Sequence, residues 1–293
     1  MQRFEYLKAF SIEQAISFLV THKGAAKLLA GGTDLIPELQ NDSLAPEFLV
    51  DIKGISGLDA IRYDGDSLCL GALTTIRAIE SSPLILSSKP FDMLAQAAAT
   101  LGSVQVRNRA TIGGNLCHAS PSADMAPALL ALEASLRFRG PAGTRTVPVS
   151  EFFTGPKETV VGHDEIMTEV RIPRPQSSRA AGVYIKHSPR GAMDLAIVGV
   201  AAVVSMSTDG ATCSAIRIGL GGVAPTPVRA RRAEAALEDK RPDDTLVETA
   251  SKMAAGDCSP ISDVRGSAEY RRAMVSVLAG RSIKEAWAAA NSI

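Results

Sequence analysis

The sequence predicts an α+β protein in two parts, and three observations support this fold class. Segments with helical apolar spacing alternate with short apolar runs of strand length as far as Ile172. A proline-containing stretch, 173–179, then interrupts the pattern. Beyond it, strand patterns come first and helical patterns follow. This order indicates a layered N-terminal domain of helices and strands followed by a small α+β domain.

The first part opens with a helix and a buried strand. Ser11 and Gln14 fit a capping box in front of a helix that begins near Ile12. The apolar run Lys27–Ala30 is too short for a helix and leads into two glycines, so it predicts a buried strand that ends in a tight turn. Further strands are predicted at 48–52, 68–72, 135–139 and 169–172, and further helices at 75–80, 91–101 and 125–133.

The second part is predicted to hold a small sheet and then helices. Apolar strand patterns occupy 183–187, 195–204 and 215–220, and the chain is mainly helical from about Arg229. With 293 residues, the chain has room for one to three domains. Because the pattern of elements changes at the proline-containing stretch, we place a domain boundary there.

Composition excludes several classes of function. Lys plus Arg and Asp plus Glu number 31 each, so the chain has no net field that would attract nucleic acid or an anionic membrane. The four cysteines form no C-x-x-C pair, and we expect no zinc site or iron–sulfur cluster in this chain. No apolar stretch approaches the length of a membrane span, and the N-terminal residues do not resemble a signal peptide. These features predict a cytoplasmic protein.

Two glycine pairs are the candidate phosphate-binding loops. They lie in Ala30–Asp34, directly after a predicted strand, and in Thr111–Asn115. Pyrophosphate is bound where several backbone N–H groups converge and no Cβ keeps the backbone away. One Gly-Gly turn after a strand is more often only a tight turn, so the prediction depends on the two loops together.

Other candidate phosphate motifs receive less support. Gly219–Ala224 matches G-x-G-x-x-A after a predicted strand, but Pro225 and Pro227 exclude the regular helical turn that a dinucleotide-binding fingerprint requires. Arg107 and Arg109 could contact phosphate or form an ordinary solvated charge cluster, and we favour the second interpretation.

Asp124 precedes a predicted helix and has two possible roles. Its carboxylate could cap that helix, or it could accept a hydrogen bond from a ribose hydroxyl. The two roles compete for the same oxygens without excluding each other, so the sequence leaves both open.

The motifs resemble those of the FAD-binding medium subunits of molybdenum hydroxylases, the family of aerobic carbon monoxide dehydrogenase and bacterial xanthine dehydrogenase. The resemblance covers nearly the whole chain. It depends on Leu29–Ile36, on Gln105–Leu116 continued by Ala119–Asp124, and on two later segments, Lys186–Asp194 and Gly266–Arg271. The long middle motif is the most specific of these.

The resemblance implies a two-part FAD-binding domain of the vanillyl-alcohol oxidase (PCMH) type at 1–176, with subdomains of about 1–57 and 58–176. A small α+β domain with a three-stranded sheet and helices would follow at 177–293. The residues implied to hold FAD are Leu28, Leu29, Ala30, Gly31, Gly32, Thr33, Asp34, Leu35, Thr111, Ile112, Gly113, Gly114 and Asn115 around the pyrophosphate, Asp124 at the ribose, and Leu101, Met167 and Lys186 along the flavin or adenine.

The resemblance also implies partners and a role. A large subunit would carry the molybdenum cofactor and a small subunit the two-iron two-sulfur clusters, in a dimer of heterotrimers. This chain would hold FAD as an electron relay, and we predict no catalytic acid–base residues in it. Relatives of the vanillyl-alcohol oxidase type often attach their flavin covalently to a histidine near the first glycine pair. Thr33 follows that pair here, so we expect non-covalent FAD. Carbon monoxide dehydrogenases have a motif similar to Gly-Gly-His-Ser at that point, so we expect a different substrate here.

Two other hypotheses remain open at the level of sequence. The chain could be a self-sufficient FAD-dependent oxidase or dehydrogenase that acts on a small organic substrate with a pocket in its C-terminal domain. It could also be a non-enzymatic nucleotide-binding or scaffold subunit in which the glycine pairs are only turns, although the double motif argues against this.

Overall fold

The structure is a computed structural model that describes residues 2–191 and 193–293. Its N-terminal part is a parallel sheet in the order β1-β3-β2. The elements are β1 Glu5–Lys8, α1 Ile12–His22, β2 Ala26–Leu29, α2 Leu35–Gln40 and β3 Phe48–Asp51. The predicted helix cap is confirmed, because the Ser11 hydroxyl accepts the Gln14 N–H at 3.1 Å. The short strand β1 was not predicted, since its sequence EYLK contains no apolar run.

The second part is built on an antiparallel sheet in the order β4-β5-β10-β6-β7. Its strands are β4 Ile61–Asp64, β5 Ser67–Gly71, β6 Ser135–Gly140, β7 Gly143–Pro148 and β10 Ile166–Pro173, and a small separate hairpin consists of β8 Phe153–Gly155 and β9 Glu158–Thr159. The helices are α3 Ile76–Ser81, α4 Pro83–Leu86, α5 Lys89–Ala99, α6 Val104–Arg107, α7 Ile112–His118 and α8 Met125–Ala131. Their apolar faces and the sheet enclose a core that includes Phe91, Phe138 and Phe152.

The C-terminal part is a four-stranded antiparallel sheet in the order β11-β12-β13-β14, with helices after it. The elements are β11 Ala180–His187, β12 Val198–Met206, β13 Cys213–Gly221, β14 Val228–Arg229, α9 Arg231–Leu237, α10 Asp244–Gly256 and α11 Ala268–Asn291. The prediction of three strands was wrong by one. β14 pairs only two residues with β13, which is too short for a recognisable apolar pattern.

The C-terminal sheet packs directly on the helices of the second part. A Cβ on Gly219 in β13 would lie 2.1 Å from the carbonyl oxygen of Pro127 in α8, and one on Gly221 would lie 2.6 Å from the Pro127 ring. Tyr184 from β11 belongs to the core of the second part. The glycines that match a dinucleotide fingerprint therefore permit close helix–sheet packing, in agreement with the sequence-based rejection of that motif.

The described residues include neither a membrane-spanning helix nor a metal-binding cluster. In the part of the chain that the structure describes, no helix is long and apolar enough to cross a bilayer. Within those same residues, no three His, Cys, Asp or Glu side chains come together as a metal-binding group.

Candidate functional site

A cleft of about 1220 Å³ is lined on one side by residues between Leu19 and Leu44 and on the other by residues between Leu101 and Met167. The loop after β11 contributes Met193, Asp194 and Leu195 to its edge. Most of the residues predicted to hold a cofactor line this cleft. They are Leu28, Ala30, Gly31, Gly32, Thr33, Asp34, Leu35, Leu101, Thr111, Gly114, Asn115, Asp124 and Met167.

The first glycine segment, Ala30–Asp34, connects β2 to α2 and presents free amide groups. Among the described residues, no backbone carbonyl accepts a hydrogen bond from the N–H groups of this segment between Gly31 and Asp34. Gly32 has φ of 77°, a left-handed conformation that favours glycine. Adjacent unpaired N–H groups in front of a helix are an anion-binding arrangement, so this segment suits phosphate oxygens.

The second glycine segment, Thr111–Asn115, is not a loop, and the prediction that its amides point at a ligand is wrong. Thr111 caps helix α7, and the rest of the segment forms the first turn of that helix. The N–H groups are used inside the protein at 2.9–3.1 Å, with acceptors on Thr74 for Ile112, on Ala72 for Gly113, and on Thr111 for both Gly114 and Asn115. Two adjacent glycines lower helix propensity, which is why the sequence indicated a turn.

Within each pair the first glycine packs against backbone and the second does not. A Cβ on Gly31 would lie 2.1 Å from the carbonyl oxygen of Arg109, and one on Gly113 would lie 2.7 Å from that of Ala72. A Cβ on Gly32 or Gly114 would meet only side-chain atoms, at 3.0 Å or more. Gly31 thus packs against the backbone just ahead of the second segment and Gly113 packs against the backbone after β5, while Gly32 and Gly114 keep the cleft wall free of side chains.

Asn115 adds an acceptor to this wall. It lines the cleft, and its Oδ1 is buried without a hydrogen-bond partner among the described residues. Buried polar atoms are normally paired, so an orphan at a cleft indicates a ligand donor. Free amide donors, an unpaired acceptor and a glycine-lined wall together fit a phosphorylated cofactor that carries hydroxyl groups.

Asp124 lies in the cleft wall, and its carboxylate accepts hydrogen bonds from two side chains of the C-terminal sheet. Its Oδ1 accepts from the Tyr184 hydroxyl at 3.0 Å, and its Oδ2 accepts from Lys186 Nζ at 3.0 Å. It occupies the N-cap position of α8 but its side chain accepts no N–H of that helix, so of the two roles that the sequence left open the capping role is wrong. Burial raises the pKa of Asp124 above the usual aspartate range, and the Lys186 charge with the two hydrogen bonds opposes that rise.

Four residues predicted at the cofactor do not line the cleft: Leu29, Ile112, Gly113 and Lys186. Ile112 is fully buried in the core. Lys186 Nζ is occupied by Asp124 and by the carbonyl oxygen of Thr100, at 3.0 Å each, so it acts on the cleft through Asp124. The sequence offered no signal for this, because a lysine in a strand gives no indication of its partner.

Arg107 also differs from its predicted role. It is buried rather than solvated, donates to Glu80 at 2.8 Å and to the carbonyl oxygen of Leu101 at 3.0 Å, and does not line the cleft. Arg109 is exposed and contributes its backbone to the contact with Gly31. Neither side chain lines the cleft wall.

Two basic side chains that were not predicted from the sequence connect the cleft walls. His118 Nε2 lies 3.8 Å from Asp34 Oδ1, and Lys157 Nζ lies 2.7 Å from Glu38 Oε1. Each pair joins α2 or its cap to the opposite wall. All of these residues line the cleft.

Known proteins match this chain over almost its full length. Residues 2–175 match the family of FAD binding domains in molybdopterin dehydrogenase, and residues 183–286 match the CO dehydrogenase flavoprotein C-terminal domain. The carbon monoxide dehydrogenase medium chain of Hydrogenophaga pseudoflava is 37% identical over 98% of this chain and 98% of its own length. The xanthine dehydrogenase FAD-binding subunit of Escherichia coli is 33% identical over 97% of this chain and 96% of its own.

Solved structures agree with these matches. A chain of carbon monoxide dehydrogenase from Hydrogenophaga pseudoflava, in a form lacking the Mo-pyranopterin moiety, superimposes with a TM-score of 0.93 at 39% identity, covering 98% of both chains.

Fold and cleft define an FAD-binding flavoprotein with an α+β C-terminal domain, as the sequence predicted. The chain belongs to the FAD-binding medium-subunit family of the molybdenum hydroxylases. It is accordingly an oxidoreductase flavoprotein chain whose cofactor is FAD.

Proposed function

We propose that this chain is the electron-relay subunit of a cytoplasmic molybdenum hydroxylase. FAD would receive electrons from iron–sulfur clusters on a small partner subunit and pass them to an external acceptor. A large partner would carry the molybdenum cofactor and the substrate site, in a dimer of heterotrimers. The observation that carries the proposal is the family match across both domains, together with a cleft whose walls suit a dinucleotide cofactor.

The structure supports a division of labour along the cleft. The free amides between Gly31 and Asp34 would take the pyrophosphate, while the glycine-lined wall at Gly114 would allow its close approach. Asp124 would accept from a ribose hydroxyl. Leu101 and Met167 would provide apolar contact to a ring system. Bound FAD supplies the electron-transfer chemistry, and the chain supplies binding, orientation and electrostatics.

Names of relatives do not select a substrate. A carbon monoxide dehydrogenase chain and a xanthine dehydrogenase chain match at 37% and 33% identity over nearly the whole length. A relay subunit does not touch the substrate, so one flavoprotein design can serve several chemistries. The substrate determinants of the proposed complex would therefore lie on the large partner.

Co-expression with the neighbouring genes tests the proposal. We expect a yellow complex of three different chains that contains FAD, iron and molybdenum, and we expect the flavin to be reduced when an oxidisable substrate is added. The isolated chain should bind FAD without oxidising organic substrates. An isolated chain that turned over such a substrate by itself would contradict the relay role and support a self-sufficient oxidase.

A further inference from the structure

The back of the cleft is closed by a buried cluster that joins the two domains. Asp124 comes from the FAD-binding side, and Tyr184 and Lys186 come from strand β11 of the C-terminal sheet. Asp124 is 6% exposed and Tyr184 is 6% exposed. The hydrogen bond between these two side chains is therefore made in a desolvated setting, where hydrogen bonds to a charged group are strongest.

The surrounding structure makes room for the Tyr184 hydroxyl. Gly199 lies on the neighbouring strand β12, and a Cβ there would lie 2.8 Å from the Tyr184 hydroxyl oxygen. The Tyr184 backbone N–H donates to Gln96 Oε1 at 2.9 Å, which ties the strand to helix α5 at that residue. The backbone N–H and the hydroxyl of Tyr184 thus each donate to a side chain of the FAD-binding part, Gln96 and Asp124.

The bonds to Asp124 leave part of its carboxylate for a ligand. Ionised carboxylates offer about four lone-pair sites. Tyr184 takes one on Oδ1 and Lys186 takes one on Oδ2, both from the side of β11, while Asp124 itself lines the cleft. With each oxygen held by a separate donor, the carboxylate plane cannot rotate freely. The remaining lone pairs keep a fixed direction.

We infer that Tyr184 is a positioning residue for FAD: its hydroxyl holds the Asp124 carboxylate in the orientation that accepts a hydroxyl group of the cofactor. Tyr184 does not line the cleft, so its effect on FAD passes through Asp124. The inference depends on the proposed FAD site and adds to it a residue supplied by the second domain. FAD affinity then depends on the docking of the C-terminal sheet against α5 and α8.

A double-mutant cycle on the full-length chain tests this. FAD is removed and the dissociation constant is measured by quenching of flavin fluorescence for the wild type, Tyr184→Phe, Asp124→Ala and the double variant. We expect Tyr184→Phe to weaken FAD binding about tenfold, because the Asp124 carboxylate loses the pre-set orientation in which it accepts from the cofactor. In the Asp124→Ala background the same change should alter binding less than about twofold, because the acceptor through which it acts is gone.

The matched control is Tyr63→Phe, which removes a hydroxyl that donates to the Leu84 carbonyl at 3.3 Å outside the cleft. It should leave FAD affinity unchanged. Equal losses from Tyr184→Phe in both backgrounds would show a general structural effect and overturn the inference, as would no loss in the wild-type background. A wild-type chain that failed to bind FAD would instead overturn the proposed function, and the inference with it.

Discussion

The two glycine segments look alike in sequence, yet they differ in what their backbones do. The first, Ala30–Asp34, holds N–H groups in front of α2 that no backbone carbonyl of the described residues accepts, whereas the second, Thr111–Asn115, forms the first turn of α7 and uses its N–H groups internally. Their shared feature is geometric, since the leading glycine of each pair touches a backbone carbonyl. A glycine pair therefore indicates that another group comes close to the backbone. Whether that group is a ligand or the protein itself depends on whether the backbone N–H groups are already hydrogen-bonded within the protein.

The largest expected effect is that of Gly31→Ala. Its Cβ would lie 2.1 Å from the Arg109 carbonyl oxygen, and a backbone clash cannot be relieved by a rotamer change. We expect the free energy of unfolding to fall by about 3 kcal/mol or more, with loss of FAD as a consequence. Urea denaturation of the apo chain measures this fall in the free energy of unfolding.

The control for that variant is Gly24→Ala, where φ is 87° and no atom of the described residues beyond the two chain neighbours lies within 4 Å of the added Cβ. It carries only the cost of a left-handed alanine, about 1–2 kcal/mol. Equal stability of the two variants would contradict the assignment of Gly31 to close packing against the Arg109 backbone.

Gly114→Ala and Gly113→Ala separate binding from packing within one helical turn. The Gly114 Cβ would meet only Thr111 Oγ1 at 3.0 Å, so we expect unfolding to change by less than about 1 kcal/mol while FAD affinity falls about tenfold. The Gly113 Cβ would meet the Ala72 carbonyl at 2.7 Å, so that variant should lose about 1–3 kcal/mol of stability. Denaturation and FAD titration of both variants measure these effects. A Gly114→Ala variant that lost stability and a Gly113→Ala variant that lost only FAD affinity would contradict the two roles.

Thr111→Val and Thr33→Val compare one threonine from each segment. The Thr111 hydroxyl accepts the Gly114 N–H at 3.1 Å, so its loss should destabilise the apo chain by about 1 kcal/mol. Thr33 lines the cleft in the segment with free amides, and its replacement should weaken FAD binding while leaving apo stability unchanged. Thermal melts with and without FAD distinguish the two, and a destabilised apo Thr33→Val would contradict the comparison.

The sequence predicted local features well. The strand before Gly31 and the helix capped by Ser11 depend on neighbouring residues, and both are confirmed within a residue or two. The predicted residues also converge on one cleft, because strand ends and the turns that follow them meet at the edge of a layered fold.

The predictions that failed concern hydrogen bonds between residues far apart in the sequence. The acceptors that occupy the amides of α7 are on Ala72 and Thr74, and no local pattern shows this. For Asp124 the sequence offered its own helix or a ribose hydroxyl, but the partners in the structure lie 60 and 62 residues further along the chain. Buried hydrogen bonds between distant elements are determined by packing, which a single sequence does not display.

The smallest expected effect concerns pH. It separates the amide donors of the first glycine segment from the Asp124 carboxylate. Amide donors do not titrate, whereas burial raises the pKa of Asp124 and the groups that face it are Lys186 and Tyr184. FAD binding that uses the Asp124 carboxylate should weaken as the pH falls through this raised pKa. Stability of the apo chain should change in the opposite sense: the contribution of Asp124 is full below the ordinary aspartate pKa and is lost as the pH rises through the raised one.

Asp124→Asn tests both signs, because asparagine cannot titrate. The variant should bind FAD more weakly at neutral pH and show a flatter dependence of FAD affinity on pH than the wild type, since the remaining contacts come from the first glycine segment. If the wild type and Asp124→Asn released FAD with the same pH profile, the titrating group would lie elsewhere in the cleft, and the carboxylate would not be part of the binding site.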